Sequence, residues 1–120
     1  MERLRLTMNA KLRAPRLACP RLRAASMSIC AHLEDAAVDA LVAGAPLLQE
    51  LCLWRCASLR APKVAAPHLH ALNYSDCFEL RDAAVAAACE GCPELTKLQL
   101  AGCNGLRAPG TLGGGGIQVR

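Results

Sequence analysis

The chain has 120 residues, enough for one module, and its net charge is a mild +4. One tryptophan, one tyrosine and one phenylalanine are its only aromatic residues, although 53% of the chain is hydrophobic. The basic residues form no stripe with interleaved aromatics, so the composition argues against nucleic-acid binding. No apolar run reaches the roughly 18 residues of a membrane span, so we expect neither a transmembrane helix nor a membrane partner.

The chain repeats one spacing of apolar residues five times. The clearest copy, from Leu48 to Leu59, has the pattern L-x-x-L-x-L-x-x-C-x-x-L. Leu51 and Leu53 alternate in this copy, so they lie on the same face of a short strand. The cysteine of the pattern has counterparts at steps of 21, 26, 21 and 26 residues, and we call these five positions the anchor column. The anchor column consists of Asn9, Cys30, Cys56, Cys77 and Cys103.

Each repeat is predicted to begin with a strand that ends two residues before its anchor. The residue three positions before each anchor is large and apolar in all five repeats, as expected for an inward position. Period-two alternation then places the neighbouring residues on the opposite, outward face. The predicted strands are residues 3–7, 24–28, 50–54, 71–75 and 97–101.

The segments that connect these strands alternate between helical and extended. Residues 35–44 and 82–90 have an apolar stripe at helical spacing, start at an aspartate that can cap the helix, and stop at Gly-x-Pro. The shorter connections, within residues 10–20 and 57–67, each contain two prolines, which exclude a regular helix. Beyond these repeats, residues 110–120 include four consecutive glycines and are predicted to form a flexible Gly-rich tail.

The spacing resembles the leucine-rich-repeat signature, whose repeats are 20–29 residues long. The 26-residue repeats, such as the one from Cys77 to Cys103, resemble the cysteine-containing repeats of F-box/LRR proteins and of the related antagonist-of-mitotic-exit-network family. The intervening Leu-Arg-Ala-Pro repeats are similar to those of plant-type F-box/LRR proteins. The resemblance covers residues 1–109. It implies an α/β solenoid with a parallel sheet on the concave face and helices only in the long repeats.

The ends of the chain lack the polar capping repeats that solenoids usually carry. We therefore expect the chain to be a fragment of a longer array. Residues 1–6 lack the apolar region of a signal peptide, which predicts a cytoplasmic or nuclear protein with reduced thiols.

The cysteines allow a second interpretation, a thiol-based redox or zinc-binding module. Cys89 and Cys92 have C-x-x-C spacing, but a zinc site needs a second pair of ligands. The equivalent positions of the other long repeat are Val42 and Ala45, which cannot bind metal. We therefore predict structural cysteines, no metal and no cofactor. No set of nucleophile, base and orienting group shares a face, and no phosphate-binding loop occurs, so we predict that the chain is not an enzyme.

The outward positions of the strands are the predicted partner-binding surface. Trp54 is the one large residue two positions before an anchor, and its column neighbours Ser28 and Ser75 are too small to cover an indole. An exposed tryptophan among small polar residues is typical of an interface hot spot. The predicted partner-binding residues are Trp54, Arg55, Asn73, Ser75 and Asp76.

We therefore predict a protein–protein interaction scaffold whose partner is another protein. The family resemblance further implies the substrate-recognition repeats of an SCF-type ubiquitin ligase, in which case the partner is a ligase substrate.

Overall fold

The computed structural model describes residues 21–30 and 32–106, together with the backbone of two short strands at 3–5 and 118–119. One six-stranded parallel sheet contains the strands in chain order, and two helices cross between them. The elements are β1 Arg3–Arg5, β2 Ala24–Ser26, α1 Asp35–Ala43, β3 Glu50–Cys52, β4 Ala71–Asn73, α2 Asp82–Gly91, β5 Lys97–Gln99 and β6 Gln118–Val119.

The register of the sheet reproduces the sequence repeat. The paired central positions of successive strands are separated by 21, 26, 21, 26 and 21 residues. Both helices lie in the long, 26-residue steps, and residues 57–67 form turns and extended chain without a helix. The predictions of an α/β fold, of a parallel sheet and of an extended return at 57–67 are confirmed. These paired central residues are Leu4, Ala25, Leu51, Leu72, Leu98 and Val119.

The strands are shorter than the predicted five residues. β2 to β5 each contain three residues, because the chain turns as it approaches the anchor. Hydrogen bonds to the next repeat nevertheless continue through the turn, where the amide of Leu53 donates to Asn73 O and that of Arg55 to Ser75 O. The residue directly before the anchor has a left-handed backbone, which ends the alternation. The residues with positive φ are Ile29, Arg55, Asp76 and Gly102.

The helix boundaries agree with the sequence to within one residue, but the predicted aspartate caps are wrong. The N-cap residues are Glu34 and Arg81, and neither makes a side-chain capping hydrogen bond. Asp35 and Asp82 are instead the first helical residues, where a carboxylate also interacts favourably with the helix dipole. Neither helix in the described part of the chain is long and apolar enough to cross a membrane.

The described anchor cysteines are buried, and three of them link successive repeats. The thiol of Cys56 donates to Met27 O at 2.8 Å, and the thiol of Cys103 donates to Tyr74 O at 2.9 Å. Cys77 donates in the same way to Leu53 O, at 3.1 Å. In each case the acceptor is the carbonyl three residues before the preceding anchor. The small inward cysteine thus satisfies a buried carbonyl of its neighbour while it fills the core.

The carboxylates of α1 hold the extended return of the following repeat. Asp35 accepts hydrogen bonds from the amides of Arg60 and Ala61, at 2.9 and 3.0 Å. One turn later, Asp39 accepts from the amide of Lys63, at 2.8 Å. An extended segment cannot satisfy its own amides as a helix does, so the short repeat relies on acceptors from the long repeat before it.

The last strand, β6, was not anticipated from the sequence. Gln118 and Val119 pair with Lys97 and Leu98, and they keep the alternation of short and long steps. The rest of the predicted tail lies outside the described residues, and so do the anchor Asn9 and the return at 10–20. The division into an array at 1–109 and a tail at 110–120 stays a prediction, with β6 as a strand inside the second segment.

Candidate functional site

One face of the sheet is open to solvent and the other is buried. In β2 to β5 the central residue is buried, and the two residues beside it are partly or fully exposed. We call the exposed side the outer face. It corresponds to the surface that the sequence predicts as concave. The outer face consists of Ala24, Ser26, Glu50, Cys52, Ala71, Asn73, Lys97 and Gln99.

A groove of about 280 Å³ runs over the outer face from β2 to β5. Its floor is lined by small or short side chains, which include Ala71 and Cys52. Two exposed charged residues, Glu50 on β3 and Lys97 on β5, also line it. The groove therefore combines a shallow apolar floor with one negative and one positive group.

Asn73 is the polar side chain at the centre of this groove. Its Oδ1 accepts a hydrogen bond from the amide of Ser75, at 2.8 Å. That bond holds the side-chain amide in one orientation and leaves the Nδ2 group as a donor. Asn73 and Ser75, both predicted to bind the partner, thus form one local unit, and only Asn73 lines the groove.

The other three predicted residues meet in the turns that follow β3 and β4. The indole Nε1 of Trp54 donates to Asp76 Oδ2 at 3.0 Å, and Arg55 Cζ lies 5.7 Å from the centre of the indole ring. Trp54 is half-buried, whereas the sequence suggested a freely exposed side chain. Period-two alternation did not reveal this, because the acidic partner comes from the following repeat, 22 residues away.

Two residues of neighbouring repeats, Ser28 and Gly102, lie close to side chains of this surface. Ser28, expected on the outward face beside Trp54, is only 8% exposed, and its hydroxyl lies 3.5 Å from the thiol of Cys52. A side chain at Gly102 would collide with the carboxylate of Asp76, and the φ of 77° there also favours glycine. Asp76 is therefore held between repeats, and its acceptor is directed to the indole.

Sequence reasoning missed Glu50, Ala71 and Lys97 as residues of the site. All three lie six positions before an anchor, whereas the predicted binding residues lie four positions or fewer before their anchors. The sequence signal for this part of the site was the pair of opposite charges Glu50 and Lys97, which occupy equivalent positions in repeats three and five. The predicted binding residues Trp54, Arg55, Ser75 and Asp76 lie on the turn side of the outer face, next to the groove rather than in it.

The thiols of the core are poor nucleophiles. Burial raises the pKa of Cys56 from its ordinary value of 9.0 to about 12, and it also raises the pKa values of Cys77 and Cys92. The Cys92 thiol donates to Val64 O at 3.6 Å, and desolvation raises the pKa of the half-buried Cys89 as well. Reactive thiols need depressed pKa values, so these data do not support a redox pair. Across residues 21–30 and 32–106, no cluster of three or more metal-ligating side chains occurs.

A second cavity, of about 440 Å³, lies where α1 begins. It is lined by Glu34, Asp35, Ser58, Arg60 and Glu79 among others, and Arg60 Nε pairs with Glu79 Oε2 at 3.2 Å. Both partners of this ion pair are more than half exposed, so it contributes little to stability. The mixed charge agrees with a solvated surface.

Comparison with known proteins relates this chain to a solved structure. No family model and no curated protein matches the sequence. The chain is similar to one in the crystal structure of the Rad7 and Elc1 complex in yeast, with a TM-score of 0.85 and 21% sequence identity. The similarity covers 99% of this chain and 32% of the yeast chain. At this identity it shows a shared fold, and this chain spans about a third of the length of its structural neighbour.

Proposed function

We propose that the chain is a segment of a leucine-rich-repeat array that binds another protein across its outer face, with a binding rather than a catalytic role. The observation that carries this proposal is the groove. It extends over four consecutive strands, and its lining includes partly or fully exposed side chains that point away from the core. Grooves with a mainly apolar floor and a few fixed polar groups are typical binding sites.

The position of the binding surface is supported by the alternation of the strands. The central residue of each described strand from β2 to β5 is apolar and buried, whereas the outward residues change from one strand to the next. The preformed turn with Trp54, Arg55 and Asp76 extends the surface and adds an indole whose ring is partly accessible. Half-buried tryptophans that are held in place can contribute strongly to binding, because little conformational freedom is lost.

We further propose that the bound protein is a substrate of an SCF-type ubiquitin ligase. The support comes from the resemblance of the long repeats to F-box/LRR proteins. A structural neighbour that occurs in a complex with a second protein is compatible with it. Both are analogies at the level of repeat type and fold.

A pull-down with groove and turn variants tests the binding proposal. Asn73→Arg places a long charged side chain over the groove floor, and Trp54→Ala removes the indole. Arg60→Ala changes an exposed residue outside the groove and serves as the control. We expect both face variants to lose most of the partner that the unmodified chain and the control recover. Equal recovery by all four proteins contradicts the proposal.

Ubiquitylation of the recovered partner in cells tests the ligase proposal. The full-length protein that contains this segment is expressed with or without the Asn73→Arg change, and the partner is analysed for ubiquitin chains. The ligase proposal predicts fewer chains and a longer half-life of the partner with Asn73→Arg. If the partner still binds but its ubiquitylation does not depend on the groove, the binding proposal stands and the ligase proposal fails.

A further inference from the structure

We propose that the groove on the outer face binds an extended peptide segment that carries a basic and an acidic residue three positions apart. This inference rests on the proposed protein-binding function and specifies the chemistry of the partner. It moves the centre of the site from the Trp54 turn to the groove between Glu50 and Lys97.

The two charges are arranged to select opposite charges on the partner. Glu50 and Lys97 occupy equivalent positions at the starts of β3 and β5, and both are exposed. Neither forms an ion pair with another residue in the described part of the chain. Between them, the equivalent position on β4 is Ala71, which cannot shield one charge from the other. A partner with one sign of charge would be attracted at one end and repelled at the other.

The distance between the two charges determines the spacing on the peptide. Neighbouring strands of a sheet lie about 4.8 Å apart, so equivalent positions on β3 and β5 are separated by roughly 9.6 Å. A peptide in the extended polyproline II conformation advances about 3.1 Å per residue and has three residues per turn, so side chains three positions apart lie on the same side, roughly 9.3 Å from each other. A basic residue opposite Glu50 and an acidic residue opposite Lys97 therefore stand three positions apart in the peptide.

The floor of the groove suits the segment between the two charges. Ala71 and Cys52 leave room above the floor for small or medium side chains. The Nδ2 group of Asn73 lies in the same stretch and can donate to a peptide carbonyl, because its Oδ1 is already occupied by the Ser75 amide. Gln99 supplies a second side-chain amide at the Lys97 end. An extended backbone presents acceptors for these donors, whereas a helix satisfies its own carbonyls.

Selection from a displayed library of random heptapeptides on the immobilised chain tests this inference. We expect the recovered peptides to contain Lys or Arg and Asp or Glu three positions apart at least about threefold more often than the input. Glu50→Gln should abolish the enrichment of the basic residue and keep that of the acidic one. Lys97→Gln should do the reverse. The matched control Lys63→Gln neutralises an exposed lysine outside the groove and should leave the selection unchanged.

Fluorescence anisotropy with one recovered peptide then gives the size of the effect. Each single neutralisation should weaken its binding by about 1.5- to fivefold, as expected for a solvent-exposed charge pair. Enrichment at another spacing, enrichment that neither variant changes, or no enrichment overturns the inference. If the inference fails while Asn73→Arg still abolishes partner recovery, the partner binds the outer face by other contacts. If Asn73→Arg also has no effect, the binding proposal fails as well.

Discussion

The sheet and the segments that connect its strands are stabilised in different ways. We call the strands and anchors the sheet layer, and α1, α2 and residues 57–67 the return layer. Every described repeat has the same strand, turn and inward anchor, and each of these contacts its counterpart in the next repeat. The returns alternate, since α1 and α2 satisfy their own backbone groups while residues 57–67 do not. In that extended return, three amides donate to carboxylates of α1.

The difference shows how the extended return at 57–67 can replace a helix, with carboxylates of the preceding helix as acceptors for three of its amides. The sheet layer depends on buried apolar side chains, most of them leucines, and on buried thiols, so it is sensitive to the ionisation of those thiols. The return layer depends on two carboxylates near the surface, so it is sensitive to their removal. Each layer can therefore be perturbed separately.

The largest expected effect is a loss of stability at high pH, which arises from the thiols of the sheet layer. The folded pKa of Cys56 is raised to about 12 from 9.0, and that of Cys77 is raised as well, so both thiols stay protonated in the folded chain when the unfolded chain has lost these protons. Their contribution to stability is complete below pH 9 and is lost as the pH rises towards 12. The unfolding free energy should fall by about 1.4 kcal/mol per pH unit for each thiol.

Urea unfolding between pH 8 and 11 measures this slope. In the double variant Cys56→Ala, Cys77→Ala the slope should be clearly smaller than in the parent chain, whatever its stability at pH 8. Parallel slopes for the two proteins would mean that these thiols do not differ in pKa between the folded and unfolded states.

The next effect concerns the return layer. Asp35→Ala removes the acceptor for two amides, and Asp39→Ala removes the acceptor for one. Hydrogen bonds to a charged group contribute about 1.5–3 kcal/mol when buried, and less near the surface. We expect losses of about 2 kcal/mol for Asp35→Ala and about 1 kcal/mol for Asp39→Ala, measured by urea unfolding at pH 7.

Hydrogen exchange locates that effect. The amides of Arg60, Ala61 and Lys63 should exchange faster in these variants, while the amides of β3 and β4 keep their relative protection. Uniform acceleration across the chain would show that the two layers do not respond separately.

A smaller effect is expected where the inward column is irregular. Tyr74 takes the place of Leu53 and Leu100 and is fully buried, and its hydroxyl has no hydrogen-bond partner among the residues that the structure describes. Tyr74→Phe removes the unpaired group and keeps the ring, so it should stabilise the chain by about 1 kcal/mol. The thermal midpoint should rise, and a decrease would indicate that the hydroxyl does have a partner.

The smallest effect is expected in the turn before the anchor. Ile29 has a φ of 60°, which β-branched residues rarely adopt, while Gly102 fills the same position in a later repeat. Ile29→Asn should relieve this strain and stabilise the chain by about 0.5–1 kcal/mol. Arg55→Asn is the matched control, since an unbranched residue is less strained there, and it should change the thermal midpoint less than Ile29→Asn does.

The sequence by itself determined the repeat, the parallel sheet and the positions of both helices. Inward residues such as Leu51 and Cys56 must be small or apolar in every repeat, so their spacing is visible without a structure. Prolines act on their own backbone, so the extended return at 57–67 could also be predicted. The strand at Gln118 could not, because no anchor residue follows it within the sequence.

Only the tertiary structure decided what the surface side chains do. Trp54 is partly covered because Asp76 comes from the next repeat, and Asp35 holds another repeat's return instead of capping its own helix. Glu50 and Lys97 come to line one groove although 47 residues separate them in the sequence. Such contacts between repeats leave no periodic pattern, because they depend on how neighbouring repeats stack rather than on which face a residue occupies.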